Sequence, residues 1–114
     1  MNRLTAHQKR VFVGEATKLL EANGFNPCTK VYNLYSYERQ TKYGLLSVKI
    51  DASDYCLSAF NRFDDPIKAE PILKRFEGNE YSGKCNFHSY DISQCINQFS
   101  HFLTQIVWKQ NTEH

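Results

Sequence analysis

The chain has 114 residues, of which 41% are apolar and 23% charged, and a net charge of +2. That length suits one domain with one core, so residues 1–114 are read as a single α+β domain with no second unit. The small positive balance excludes a strongly acidic nucleic-acid mimic. It also falls short of the concentrated basic patch usual in nucleic-acid modules, which leaves nucleic acid allowed as a partner but not favoured.

Four cysteines, Cys28, Cys56, Cys85 and Cys95, form no C-x-x-C pair. The N-terminus has no apolar stretch of signal-peptide length, and no run approaches the roughly 18 apolar residues of a membrane span. The expectation is a soluble, cytoplasmic protein with reduced thiols.

The first element is a helix. Thr5-Ala-His-Gln8 has the spacing of a capping box, in which hydroxyl and amide side chains satisfy each other's backbone N–H groups. Phe12, Ala16, Leu19 and Leu20 follow as one apolar stripe, and Asn23-Gly24 ends it. Gly14 weakens the interior and suggests close packing against a sheet. Three strand patterns come next. Residues 30–37 are rich in Val and Tyr. Tyr43 to Ile50 alternates, with Leu46, Val48 and Ile50 on one face and Tyr43, Ser47 and Lys49 on the other. Tyr55 to Arg62 places Leu57 and Ala59 opposite Ser58, Phe60 and Arg62. The polar connections at 38–42 and 51–54 are short enough for hairpins, which makes the neighbours antiparallel.

Asp65-Pro66 then resembles an N-cap with Pro at the first helical position, and Pro71 splits the segment into two short turns. Lys84 to Tyr90 reads as a fourth strand, with Cys85 and Phe87 on one side and Lys84, Asn86, His88 and Tyr90 on the other. Asp91 starts a last helix. Its residues Ile92, Cys95, Ile96, Phe99, Phe102, Leu103 and Ile106 form the strongest helical stripe in the chain. The order α-β-β-β-α-β-α predicts a four-stranded, mainly antiparallel sheet with two long helices packed on one face. The other face is left open, and function is expected there.

Arg62, Lys84, Asn86, His88 and Tyr90 share that face if the last two strands are neighbours. Cations beside oriented donors suit a phosphate or a carboxylate of a partner. The same residues also fit a plain solvated sheet face. With His88 as general base they would permit metal-free RNA cleavage. Tyr32, Tyr35, Tyr37, Tyr43 and Tyr55 suit base stacking, a protein interface, or half-burial in strands. Cys85-x-x-His88 has metal-like spacing, but residues three apart on a strand point to opposite faces. Asp51, Asp54, Asp64 and Asp65 sit at turns and caps, where Asp is favoured for backbone reasons. No cofactor signature is present, and neither a cofactor nor a metal is expected.

Two segments carry a resemblance. Phe60-Asn-Arg-Phe-Asp-Asp-Pro-Ile-Lys-Ala69 and Asn79-Glu-Tyr-Ser-Gly-Lys-Cys-Asn-Phe-His88 resemble small uncharacterised proteins of bacteriophages and mobile elements. Those proteins carry Phe-x-Arg-Phe-Asp/Glu-Asp-Pro-x-x-Ala followed by Asn-x-x-Ser-Gly-Lys-Trp-Asn-Phe-His. Cys85 stands where the family has Trp. The resemblance implies a phage or mobile-element setting, in which small proteins often bind and disable host machinery.

Together these readings give a non-enzymatic, anti-CRISPR-like binding protein that inhibits a host or defence complex in the host-cell cytoplasm. Its expected contacts are Arg39, Lys42, Arg62, Lys84, Asn86 and His88, with Arg39 and Lys42 in a loop. The alternatives are an RNA or single-stranded DNA binder on the open sheet face and a small metal-independent ribonuclease.

Overall fold

The computed structural model describes residues 3–28 and 35–109. Helix α1 (Ala6–Ala22) leads into a two-residue strand β1 (Asn26–Pro27), then β2 (Tyr35–Thr41), β3 (Gly44–Ala52) and β4 (Leu57–Phe63). A short helix α2 (Glu70–Arg75), strand β5 (Lys84–Ser89) and helix α3 (Ile92–Gln105) complete the described chain. The fold is α+β, and the sheet is an antiparallel meander in the order β1-β2-β3-β4-β5. It has five strands rather than four, because Asn26–Pro27 pairs with Tyr37 and Glu38. Two residues with a proline carry too little pattern to be read as a strand. Residues 30–34 of the first expected strand lie outside the described residues, as does Tyr32.

Capping chemistry sets the helix ends. The Thr5 hydroxyl accepts from Gln8 N, and the Gln8 side chain accepts from Thr5 N, at 3.0 and 2.8 Å. Gly24 ends α1 at φ +74°, a conformation open to glycine and costly for others. Asp91 accepts from Gln94 N at 2.9 Å and starts α3. Gly14 does not serve close packing: it is exposed, and a Cβ there would meet nothing within 4 Å. The second helix begins at Glu70 with Pro71 in its first turn, not at Pro66. Asp65 instead caps a turn, its carboxylate accepting from Lys68 N at 3.1 Å. The β2–β3 connection is only Lys42 and Tyr43, because the Thr41 hydroxyl donates to Gly44 O and accepts from Tyr43 N, closing the turn by itself.

Register divides the sheet into two faces. Ile50, Val48 and Leu46 pair with Ala59, Asn61 and Phe63, which pair in turn with Phe87 and Cys85 and their neighbours. Helices α1 and α3 lie on this side and touch each other. Phe12, Ala16 and Leu20 of α1 and Cys95, Phe99, Phe102 and Leu103 of α3 are buried against it. Phe102 is the hub: its ring packs at 5.2 Å from Phe76 and from Phe87 and at 6.3 Å from Phe63. Burial pushes the thiols of Cys85 and Cys95 up to about 11. Among the described residues the buried polar side chains are Thr41 and Asn61 on this side and Ser58 on the other. Asn61 donates to Ala59 O at 3.1 Å, while its Oδ1 has no partner. Among the described residues no helix is long and apolar enough to cross a membrane.

The N-terminal segment is tied down at the β3–β4 turn. Leu4 N donates to Asp54 O, and the Asp54 carboxylate takes Lys9 Nζ at 2.7 Å and the Arg3 guanidinium. The bonds from Lys9, then those from Arg3, lower the Asp54 carboxyl from 3.8 to about 2.

Two outcomes follow from this packing. Phe102→Ala is expected to lose about 3–5 kcal/mol in denaturant unfolding, the usual cost of emptying a large aromatic site. For Asp54 the folded value lies below the unfolded one, so its contribution is full above pH 3.8 and disappears as pH falls through about 2. Asp54→Asn should therefore melt earlier than the parent chain near neutral pH, and the two melting temperatures should converge toward pH 2.

Candidate functional site on the open sheet face

The face away from the helices is built by the alternate residues of the same strands. One row across it runs Glu38, Ser47, Arg62, Lys84. The next runs Ser36, Lys49, Phe60, Asn86, and the third Asp51, Ser58, His88. Among the described residues no helix or strand covers these rows. They frame a concavity of about 450 Å³ lined by Ser47, Lys49, Phe60, Arg62, Lys84 and Asn86.

The charges here are unbalanced. Arg62 and Lys84 are directly opposite each other on β4 and β5. Lys84 O accepts from Asn79 N at 2.7 Å, so its backbone is turned away from β4 and the Arg62–Lys84 pair is of the close, non-hydrogen-bonded kind. Such pairs bring Cβ atoms to about 5 Å, where like charges repel. Neither side chain forms an ion pair or hydrogen bond with a described residue, and neither does Lys49. Phe60 lies one row on, 39% exposed, between Lys49 and Asn86. The acid on the first row, Glu38, is at its far end near Cys28, whose thiol is raised first by burial and then by Glu38.

The loops at this end of the sheet extend the site. Phe63 N donates to Gly83 O, and a Cβ on Gly83 would touch Pro66, so the segments before α2 and before β5 lie together. Each presents one large apolar side chain to solvent: Ile67 is 84% and Tyr81 95% exposed. The Tyr81 loop is held in shape. The Asn79 side chain accepts from Tyr81 N and Ser82 N, and Gly83 N donates back to Asn79 O.

The structure thus brings together Arg62, Lys84, Asn86 and His88, and places Lys42 in the exposed β2–β3 turn at the same end of the sheet. Arg39 is a correction. It lies within β2, not a loop, and its row partner is Leu46, so it points to the helix side. There its guanidinium stacks 4.4 Å from the Trp108 ring centroid and donates to Asn23 O. Strand β2 runs four residues further than expected, which moved Arg39 from turn to core margin. Tyr90 is a second correction: it follows β5 and packs against the core cluster rather than joining the open face. The described tyrosines form no platform on the open face. Tyr35 and Tyr37 share the helix side, Tyr43 packs edge-on to Phe63 at 6.2 Å, and Tyr55 lies in the β3–β4 turn. Cys85 is buried under the helices while His88 is on the other face, and among the described residues no three metal-ligating side chains converge.

Phe60, Ile67 and Tyr81 were not singled out as site residues. The alternation of β4 had already put Phe60 on the polar side, and an aromatic there was the available signal. Ile67 and Tyr81 are in loops, where no periodicity marks exposure. Compared with protein-family models, curated proteins and solved structures, the chain matches none.

The uncompensated pair makes a stability test of the site. Lys84→Glu replaces a repulsive cross-strand pair with an attractive one and is expected to raise stability by about 0.5 kcal/mol. Urea midpoints at low salt should show the gain, and added salt should shrink it.

Proposed function

We propose that the chain is a non-enzymatic binding protein that grips an acidic surface of a partner protein with its open sheet face. Arg62 and Lys84 are the principal contacts, Lys49, Asn86 and His88 surround them, and Lys42 lies at the rim. The observation that carries this reading is the Arg62–Lys84 pair: two cations held face to face, neither of them ion-paired with a carboxylate of the described residues. A carboxylate from outside converts that repulsion into charge-assisted hydrogen bonds.

A protein is favoured over a nucleic acid by what surrounds the cations. Among its described residues the face offers one aromatic, Phe60, instead of a series of stacking rings, and it includes Glu38 and Asp51. Ile67 has no use for a base or a phosphate, but it suits an apolar pocket, as does the preorganised Tyr81. The resemblance to phage and mobile-element proteins supports a host or defence complex, such as a CRISPR effector, as the partner and inhibition as the outcome. A cationic inhibitor cannot imitate nucleic acid, so it would act on an acidic region of such a complex rather than occupy its nucleic-acid channel.

The test is capture from nuclease-treated host lysate by the parent chain and by Arg62→Glu/Lys84→Glu. The parent chain should retain a defined protein complex, and the charge-reversed variant should bind it at least about tenfold more weakly, since like-charge juxtaposition costs kcal/mol amounts. Tight binding of single-stranded oligonucleotides with a steep salt slope, and no protein retained, would instead establish the nucleic-acid reading.

A further inference from the structure

The flank formed by the free edge of β5 and the adjoining side of α3 is unlike the rest of the surface. Strand β5 pairs with β4 on one side only. On the other side, among the described residues, its only backbone pairing is the Asn79–Lys84 bridge, with Gly78 packed beside Cys85. Because Lys84 O points outward to Asn79, strand alternation turns the backbone N–H and C=O of Asn86 and His88 outward too. No described residue takes them. Sheet edges of this kind are normally blunted by a lysine, a proline or a bulge. The opposite edge is: β1 is two residues long and contains Pro27. Between Asn86 and Ser89, β5 has no such device.

This flank is also poor in charge. Helix α3 runs for 14 residues without one Asp, Glu, Lys or Arg, in a chain where such residues make up 23%. Its side toward β5 presents Gln98 and His101, which line a cavity of about 400 Å³ together with Phe76, Glu77, Asn86, Phe87 and His88. Depletion of charge with polar and aromatic groups retained is the composition of an interface centre. Among the described residues the charges here are Glu77, at the Phe76 end of the cavity, and Lys84 and Arg75 beside it.

We propose that this flank binds a second copy of the same chain, β5 against β5, to give one continuous antiparallel sheet around a two-fold axis. A two-fold operation sets residues near the axis against their own images, so a self-binding face must be neutral there or carry paired charges. The β5–α3 flank meets that condition, whereas the cationic rows do not. The register follows from which groups are free. Asn86 of one copy lies opposite His88 of the other, each such pair exchanging N–H···O bonds in both directions, and Phe87 faces its own image on the helix side. Both open faces then lie on the same side of the joined sheet, which presents two cationic sites together. Because β1 is blunted, pairing closes at two copies and does not propagate as a fibre.

Sedimentation equilibrium over a concentration series tests this on the purified chain, with amide hydrogen exchange as the second measurement. The parent chain should reach twice its monomer mass, with the Asn86 and His88 amides protected as the dimer forms. Gln98→Glu sets a carboxylate near its image and should weaken the dimer at least about tenfold. The helical circular dichroism should be unchanged, and the Asn86 and His88 amides should become fast-exchanging. A parent chain that stays monomeric to near-millimolar concentration overturns the proposal. So does a dimer that tolerates Gln98→Glu or leaves those two amides unprotected. None of these readouts involves the acidic partner, so this proposal and the binding reading stand or fall separately.

Discussion

Burial of the Leu46–Val48–Ile50 row under α1 is the constraint on which the rest depends. A strand alternates with a period of two, so fixing one row inward fixes its neighbours outward. Ser47 and Lys49 face away from the helices for that reason alone, and pairing carries the same parity to Phe60 and Arg62 on β4 and to Lys84, Asn86 and His88 on β5. A slip of one residue anywhere in the meander would put Arg62 into the core and Phe63 into water. The cationic face is thus the necessary reverse of the hydrophobic one.

That face is arranged against the stability of the isolated chain. Opposed cations on neighbouring strands and large apolar groups left in water at Phe60, Ile67 and Tyr81 each cost something in solution. Asn61, the residue before Arg62, adds a buried acceptor without a donor. These costs lie close together in space, on β4 and β5 and the loops that join them. Several other features follow the stabilising option: the capping box at Thr5, the Asp54 clamp on Lys9 and Arg3, and the Phe102 cluster are all satisfied locally. Such local departures from the best folding choice are what a binding surface requires, although Val11, Tyr55 and Val107 are exposed elsewhere too.

Much of this was legible in the sequence wherever a period or a cap carried the information. The stripe from Ile92 to Ile106, the Thr5 and Asp91 caps and the alternation through β3 and β4 each reflect a single strong local rule, and the architecture follows from them. The rest depended on contacts between distant residues. Arg39 reads as a loop cation until Trp108, far along the chain, is seen beneath it. The extra strand β1 exists only because β2 pairs with it. Pro66 and Pro71 both suit a helix start, and the choice between them turns on whether Asp65 caps a helix or a turn. The exposed tip at Ile67 and Tyr81 follows no pattern at all, since it is defined by the absence of neighbours.

The position of α3 in the chain has a bearing on how the molecule is made. It is the last described element, yet Phe99, Phe102 and Leu103 cover strands that precede it, and Trp108 returns to bridge Thr41. While the polypeptide is still leaving the ribosome, the finished meander would expose its greasy side until this helix emerges. The window between translation of β4 and release of α3 is therefore when the nascent chain is most exposed to aggregation and most in need of a chaperone.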